Sequence, residues 1–147
     1  MKRFAAVLFL VAATLTLAAC AHEGGTQQGM KEGGGSSKIY WCFNATDGVC
    51  SGINTTRGTC PDGKPMNAGH VVWIEGTTAL VCPCGDTCTC KIDPNDHTKC
   101  GCGKPVVKIN LAGTGIYFCN CKGSCGCSMI SDQPVNCKCG MPMKQAK

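Results

Sequence analysis

Beyond the first twenty residues, apolar side chains come in short runs of strand length, and no stretch repeats convincingly at helical spacing. Val71-Val72-Trp73-Ile74, a turn at Glu75-Gly76, and the run from Thr77 to Val81 predict a hairpin leading straight into Cys82. Val106 to Leu111, a turn around Gly113-Thr114-Gly115, and Ile116-Tyr117-Phe118 predict a second hairpin leading into Cys119. Lys38-Ile39-Tyr40-Trp41 supplies half of such a unit ahead of Cys42. Trp41, Trp73, Tyr117 and Phe118 are expected to pack these strands. Each apolar run gives way to a loop dense in cysteine. The expected fold is small and β-rich, stabilised by metal or disulfides. It is built of tandem hairpin plus cysteine-loop units, zinc-ribbon-like, with little or no helix in the mature chain.

The N-terminus follows a different pattern. Met1-Lys2-Arg3 is positive, and Phe4 to Ala19 is an apolar, alanine-rich run too short for a comfortable membrane span. It ends Leu17-Ala18-Ala19-Cys20, which resembles the lipobox of bacterial lipoproteins. The resemblance implies a signal peptide over residues 1–19, cleavage before Cys20, lipidation of its sulfur, and a lipid-anchored place in the bacterial cell envelope. Ala21 after the lipid site, rather than Asp, implies the outer membrane, facing the periplasm, in a Gram-negative cell. Residues 20–37 then form a polar, glycine-rich tether, with His22 a solvated linker residue. Asn44 and Asn54 open Asn-x-Thr sequons, which carry no meaning in a bacterial lipoprotein.

The rest of the chain repeats itself. Cys82, Cys84, Cys88, Cys90, Cys100 and Cys102 recur, each shifted by 37, as Cys119, Cys121, Cys125, Cys127, Cys137 and Cys139. Gly103-Lys104-Pro105 closes one copy and Gly140-Met141-Pro142 the other, defining six-cysteine units over residues 71–105 and 106–147. Residues 38–70 are a degenerate copy: Cys42, Cys50 and Cys60 sit 40 positions before Cys82, Cys90 and Cys100, and Gly63-Lys64-Pro65 repeats the close. Asn44, Gly48 and Asp62 stand where its other cysteines would be. This first unit either binds one ion with a borrowed ligand or survives as scaffold.

Composition sharpens the picture. A chain of 147 residues with 16 cysteines, 20 glycines and few aromatics favours small stapled modules over a large core. The formal charge of +5 is scattered, without a basic stripe interleaved with aromatics, which argues against nucleic acid as a partner. Neither a Ser-His-Asp arrangement nor a phosphate loop is present, and no Cys-x-x-Cys marks a thiol oxidoreductase. The chain is expected not to be an enzyme.

Sulfur spacing carries the chemistry. In an extended segment, residues i and i+2 share a face with Cα atoms about 6.5–7 Å apart, at or past the limit for a relaxed disulfide. A Cys-x-Cys pair is thus poorly placed to bond to itself and well placed to share an ion or bridge two. Six thiolates exceed the four a tetrahedral zinc takes. That surplus fits a zinc site plus a disulfide, or a cluster of soft ions such as Cu(I) with bridging sulfurs. With Cys20 lipidated, the remaining 15 cysteines cannot all pair within one chain. Against this stands the default for exported cysteine-rich chains, a disulfide scaffold; thiol redox chemistry is a further alternative.

Tyr117-x-Cys119, Cys127-Ser128-Met129, Asp132-Gln133-Pro134 and Cys137-Lys138-Cys139-Gly140-Met141 resemble the short heavy-metal-binding domain found beside copper-exporting pumps and efflux proteins. The resemblance covers the last quarter of the chain and implies metal binding. It departs from that pattern in lacking the proline and histidine of the middle motif, in closing on Cys-x-Cys, and in adding Cys121 and Cys125. The metal-ligand set is therefore Cys82, Cys84, Cys88, Cys90, Cys100 and Cys102; Cys119, Cys121, Cys125, Cys127, Cys137 and Cys139; with Cys42, Cys50 and Cys60. Zinc or copper(I) is the expected ion, and sequestration, buffering or resistance the expected role. The alternative is a disulfide-stapled structural or interaction lipoprotein. Met129, Met141 and Met143 are expected to be gap-filling or surface residues, and His97 a solvated loop residue. His70, in competition with Asp62 and Asp47, is weighed as a fourth ligand in the first unit.

Overall fold

Alternation of apolar side chains about two neighbouring strands fixes the architecture. In this computed structural model, residues 34–43, 50–121 and 126–147 are described. Residues 1–33, with the predicted signal peptide, Cys20 and His22, lie outside that set, as do Asn44, Asp47, Gly48, Cys125 and the side chain of Cys50. Among the described residues there are strands β1 Lys38–Phe43, β2 Cys50–Asn54, β3 Asn67–Glu75, β4 Thr78–Cys82, β5 Val107–Asn110, β6 Tyr117–Phe118, β7 Ile130–Ser131 and β8 Lys144–Gln145, and no helix. The small, β-rich, cysteine-clustered fold expected from the sequence is the one observed.

Strands β1 to β5 form one antiparallel sheet in the order β2-β1-β3-β4-β5, and the last three form a second in the order β7-β6-β8. The expected β3–β4 hairpin is present, with Glu75 opposite Thr78 and Gly76 turning at a φ of 61°. A bulge between Val71 and Trp73 slips the register by one, so that His70 comes to lie opposite Cys82.

Two faces of the hairpin have different occupants. Val71, Ala79 and Val81 pack with Ile39, Trp41, Ile109, Leu111, Ile116, Phe118, Ile130 and Ala146 in the main core. Val72, Leu80 and Cys82 point the other way and pack with Cys100 against Cys84, Cys88, Cys90 and Ile92. A third cluster gathers Cys119, Met129, Val135, Cys137 and Met143 beneath the last cysteine loop. The main core draws side chains from all three repeats. The repeated cysteine loops thus stand on one shared hydrophobic body.

Two expectations are revised. Val106 to Leu111 does not pair with Ile116-Tyr117-Phe118; β5 pairs with β4, Ala79 opposite Ile109, while β6 pairs with β7 and β8. The edge of β4 would otherwise expose a row of unpaired amides and carbonyls. Gly113 and Gly115, at φ of 77° and 75°, turn the chain out of the first sheet instead of folding it back. The tether also ends sooner than residue 37. Ser36 exchanges backbone hydrogen bonds of 2.9 and 2.7 Å with Ile130, and Ser37 accepts one from the Val71 amide. A side chain at Gly35 would come within 2.6 Å of Met143 and 2.9 Å of Met129.

Because the main core is common property, its loss is expected to be felt everywhere. Ile109→Ala, at a site with no solvent exposure, is expected to cost about 2–5 kcal/mol of stability. Denaturant unfolding of the reduced chain checks this. Near-ultraviolet signals from Trp41 in the first sheet and Tyr117 in the second should shift together to lower midpoint, and a shift confined to one sheet would contradict a shared core.

Candidate metal centre

The same turn closes all three repeats. Its first cysteine amide donates to the carbonyl four residues on: Cys60 to Lys64 at 2.7 Å, Cys100 to Lys104 at 3.0 Å, Cys137 to Met141 at 2.8 Å. The glycine amide donates back to that cysteine's carbonyl at 2.9, 2.7 and 2.8 Å in turn. Gly63, Gly103 and Gly140 all sit at a φ of 81°, a conformation that disfavours any side chain. Isolated bridges Thr59–Pro65, Lys99–Pro105 and Asn136–Pro142 recur at the same place. Each Gly-x-Pro signature is a knuckle that holds a cysteine sulfur toward a cysteine 18 residues earlier.

That meeting takes two forms. Cys42 and Cys60 are joined in a disulfide across a separation of 18. Their counterparts are thiols: Cys82 and Cys100 with Sγ atoms 3.1 Å apart, Cys119 and Cys137 at 3.0 Å. Cys42 and Cys60, expected as metal ligands, are therefore not thiolate donors in this structure. The physical reason is composition. Asn44 and Asp62 leave each of them without the second sulfur of a Cys-x-Cys pair, so they bond to each other. A cross-link closing a loop of this length is worth about 3 kcal/mol. Asp62 instead accepts from the Lys64 amide at 3.1 Å and pairs with its ammonium at 3.3 Å. Those contacts hold its carboxyl below the usual range and leave it a turn residue.

In the second unit, Cys82, Cys90, Cys100 and Cys102 bring four sulfurs within 4.8 Å of one another. Thiolates at about 2.3 Å from a tetrahedral zinc stand about 3.8 Å apart. The observed separations straddle that edge: 2.9 Å for Cys100–Cys102 and 4.0 Å for Cys82–Cys102. Cys84 lies 3.2 Å from Cys102 and Cys88 lies 3.1 Å from Cys90, so the remaining sulfurs border the quartet. These cysteines could hold a metal ion. His70, weighed for the first unit, faces this one: a ring nitrogen shares a 4.8 Å group with Cys82 and Cys88.

The electrostatics point the same way. Burial, reinforced by the neighbouring Cys100 thiol, drives the Cys82 thiol far above its ordinary range. The hydrogen bond with Cys88 and desolvation push Cys90 up to about 12. Hydrogen bonds from the Cys100 thiol and the Lys104 amide bring exposed Cys102 down to about 6, and backbone and side-chain contacts with Cys90 lower Cys88. So crowded a set does not ionise together unaided. A bound cation would supply the missing positive charge and release the thiol protons.

Among the described residues, the third unit brings its sulfurs together in two groups of three. Cys119, Cys121 and Cys137 form one group within 4.8 Å, and Cys127, Cys137 and Cys139 another, meeting at Cys137. Cys121 is 3.2 Å from Cys119 and 3.1 Å from Cys139. Burial pushes the Cys137 thiol up to about 11. Buried Met129 and Met143 pack against Cys119 and Cys137 as gap-fillers, whereas Met141 is exposed. Ser128, at a φ of 43°, donates its hydroxyl to the Val72 carbonyl at 3.0 Å and so ties this loop to β3.

A polar clamp that the sequence does not announce steadies the second loop. Asp86, between Cys84 and Cys88, accepts from the Tyr40 hydroxyl at 2.6 Å and the Arg57 guanidinium at 2.9 Å. Those two contacts, Tyr40 first, hold its carboxyl down at about 2. His97 stacks at a tilt on Trp73, 5.6 Å between ring centres, and reaches Glu75. No protein-family model, curated protein or solved structure matches the chain.

The spread of thiol acidities gives a direct test. In metal-free, reduced protein at pH 7, Cys102 lies above its pKa of about 6 and is mostly thiolate, while Cys90, at about 12, stays protonated. Limited iodoacetamide treatment followed by peptide mass spectrometry is expected to label Cys102 at least tenfold ahead of Cys90. Labelling of Cys102 should fall as pH drops below about 6. Equal labelling of both would contradict this electrostatic account.

Proposed function

We propose that this protein is a lipid-anchored, non-enzymatic metal-binding protein of the bacterial envelope. It sequesters or buffers soft ions, zinc or copper(I), through the Cys-x-Cys thiolates of its second and third units. The observation that carries the reading is the convergence of Cys82, Cys90, Cys100 and Cys102 within 4.8 Å. Four sulfurs at that spacing match the ligand number that zinc takes, and thiolate softness suits both zinc and Cu(I). The likeness of Cys127-Ser128-Met129 and Cys137-Lys138-Cys139-Gly140-Met141 to heavy-metal-binding domains supports the same assignment. The lipobox-like Leu17-Ala18-Ala19-Cys20 supports the anchor, and Ala21 after it supports an outer-membrane site facing the periplasm in a Gram-negative cell. Membrane and metal ions are then its partners, and the first unit is a disulfide-locked scaffold.

One observation favours a second reading. The Cys42–Cys60 disulfide occupies the position that Cys82–Cys100 and Cys119–Cys137 hold as thiol pairs. In an oxidising compartment all three could close, giving a stapled structural or interaction lipoprotein.

Counting bound metal and reactive thiols together on the full chain, purified in its native redox state, separates the two. The metal reading expects at least one ion for each of the second and third units. It also expects their thiols to become titratable only after chelation. Zinc near one per unit indicates closed tetrahedral sites; several copper ions per unit indicate a cluster. Replacing Cys119, Cys127, Cys137 and Cys139 with Ser is expected to remove most of the third unit's share and spare the second's. Few thiols, no metal, and no uptake after anaerobic reduction would overturn the reading in favour of the stapled scaffold.

A further inference from the structure

We infer that His70 is the nitrogen ligand of a second metal position in the second unit, shared with Cys88 and joined to the four-thiolate site through Cys82. The inference rests on the metal-binding reading above and adds to it an ion position with a mixed nitrogen and sulfur donor set.

His70 is only 4 % exposed, on the face of β3 opposite the main core. Its Nε2 lies 2.6 Å from the backbone carbonyl of Cys90. A carbonyl only accepts, so Nε2 carries the ring proton and donates it. Nδ1 is then left with its lone pair. That atom is buried and has no hydrogen-bond partner among the described residues. Buried acceptors are ordinarily satisfied, and one left unpaired asks for an explanation such as an ion. Here an explanation is close at hand, since a ring nitrogen of His70 and the sulfurs of Cys82 and Cys88 all lie within 4.8 Å of one another.

The tautomer is the one a metal requires. Histidine ligands donate their second ring N–H to a carbonyl or carboxylate, which orients the ring and frees the other nitrogen. In this case the carbonyl belongs to Cys90, itself a member of the four-sulfur group. The backbone holds the pair in place: His70 stands opposite Cys82 across the hairpin, in the register set by the bulge after Val71. Just before it, Gly69 admits the close approach of β4, where a side chain would meet the Cys82 carbonyl at 2.5 Å. Imidazole with two thiolates suits zinc or a similar borderline ion, and three protein ligands leave its fourth position open. An ion so held is the exchangeable member of the pair, the four-thiolate ion the retained one. On binding, Cys88 loses its thiol proton to solvent, Cys82 bridges as thiolate, and the imidazole gives a lone pair without releasing a proton.

The test uses the full chain, reduced, labelled with ¹⁵N-histidine and titrated with ¹¹³Cd²⁺, a spin-active stand-in for zinc. Long-range ¹H–¹⁵N spectra are expected to show His70 as the Nε2–H tautomer before loading. After loading, Nδ1 of His70 should be split by ¹¹³Cd, with His22 and His97 unsplit. His70→Gln should bind one cadmium ion fewer per chain than the native protein. If cadmium is bound but His70 Nδ1 remains unsplit, the inference fails and the thiolate-binding reading stands. A chain that takes up no cadmium after reduction sinks both. Should His70→Gln fail to fold, the splitting in the native chain decides alone, because a purely structural histidine would show none.

Discussion

Everything in this small protein depends on the β3–β4 hairpin having two faces with different tasks. One face, through Val71, Ala79 and Val81, closes a hydrophobic core drawn from all three repeats. The other, through His70, Val72, Leu80 and Cys82, carries the second cysteine loop. The bulge between Val71 and Trp73 makes the division possible. Without it, period-two pairing would bring His70 opposite Pro83 and Cys82 opposite Val71, with the sulfur and the imidazole no longer facing each other. A loop of thiols has little apolar surface with which to fold itself. It needs a body to stand on, and the hairpin connects it to one.

On that body the knuckle is copied three times with nearly constant hydrogen bonds. What varies is how many sulfurs each copy brings to it. With one cysteine at each end, Cys42 and Cys60 cross-link to each other. With pairs at each end, the sulfurs crowd to 2.9–3.1 Å without bonding, closer than the edge of a tetrahedral zinc shell at about 3.8 Å. Burial and mutual contact then oppose ionisation of Cys82, Cys90 and Cys137. The same crowding that destabilises separate thiolates stabilises them around a cation. Second-loop geometry is further fixed by Asp86, gripped by Tyr40 and Arg57 from the first repeat.

Much of this was legible in the residues. The strand-turn-strand pattern before Cys82 located the central hairpin, and the recurring Gly-x-Pro marked the knuckles. The Cys-x-Cys spacing anticipated neighbours that touch without bonding, as Cys100 and Cys102 do at 2.9 Å. Three things were hidden for physical reasons. Partner choice for β5 depends on which edge is open after β3 and β4 have paired, a tertiary fact that local pattern does not carry. The Cys42–Cys60 bond depends on a meeting 18 residues apart in sequence. His70, weighed only as a candidate for the first unit, faces Cys82 and Cys88 of the second instead, because its side of the sheet is decided by one bulged residue. Counting outward from the turn at Gly76 brings His70 near Cys82, but no residue at Val71 or Val72 announces the slip.

In the proposed role, the knuckles aim sulfur at a metal. X-ray absorption at the zinc edge, on the full chain loaded with zinc under reducing conditions, tests it most directly. A first shell dominated by sulfur at about 2.3 Å is expected. A shell made only of oxygen and nitrogen at about 2.0–2.1 Å would contradict it.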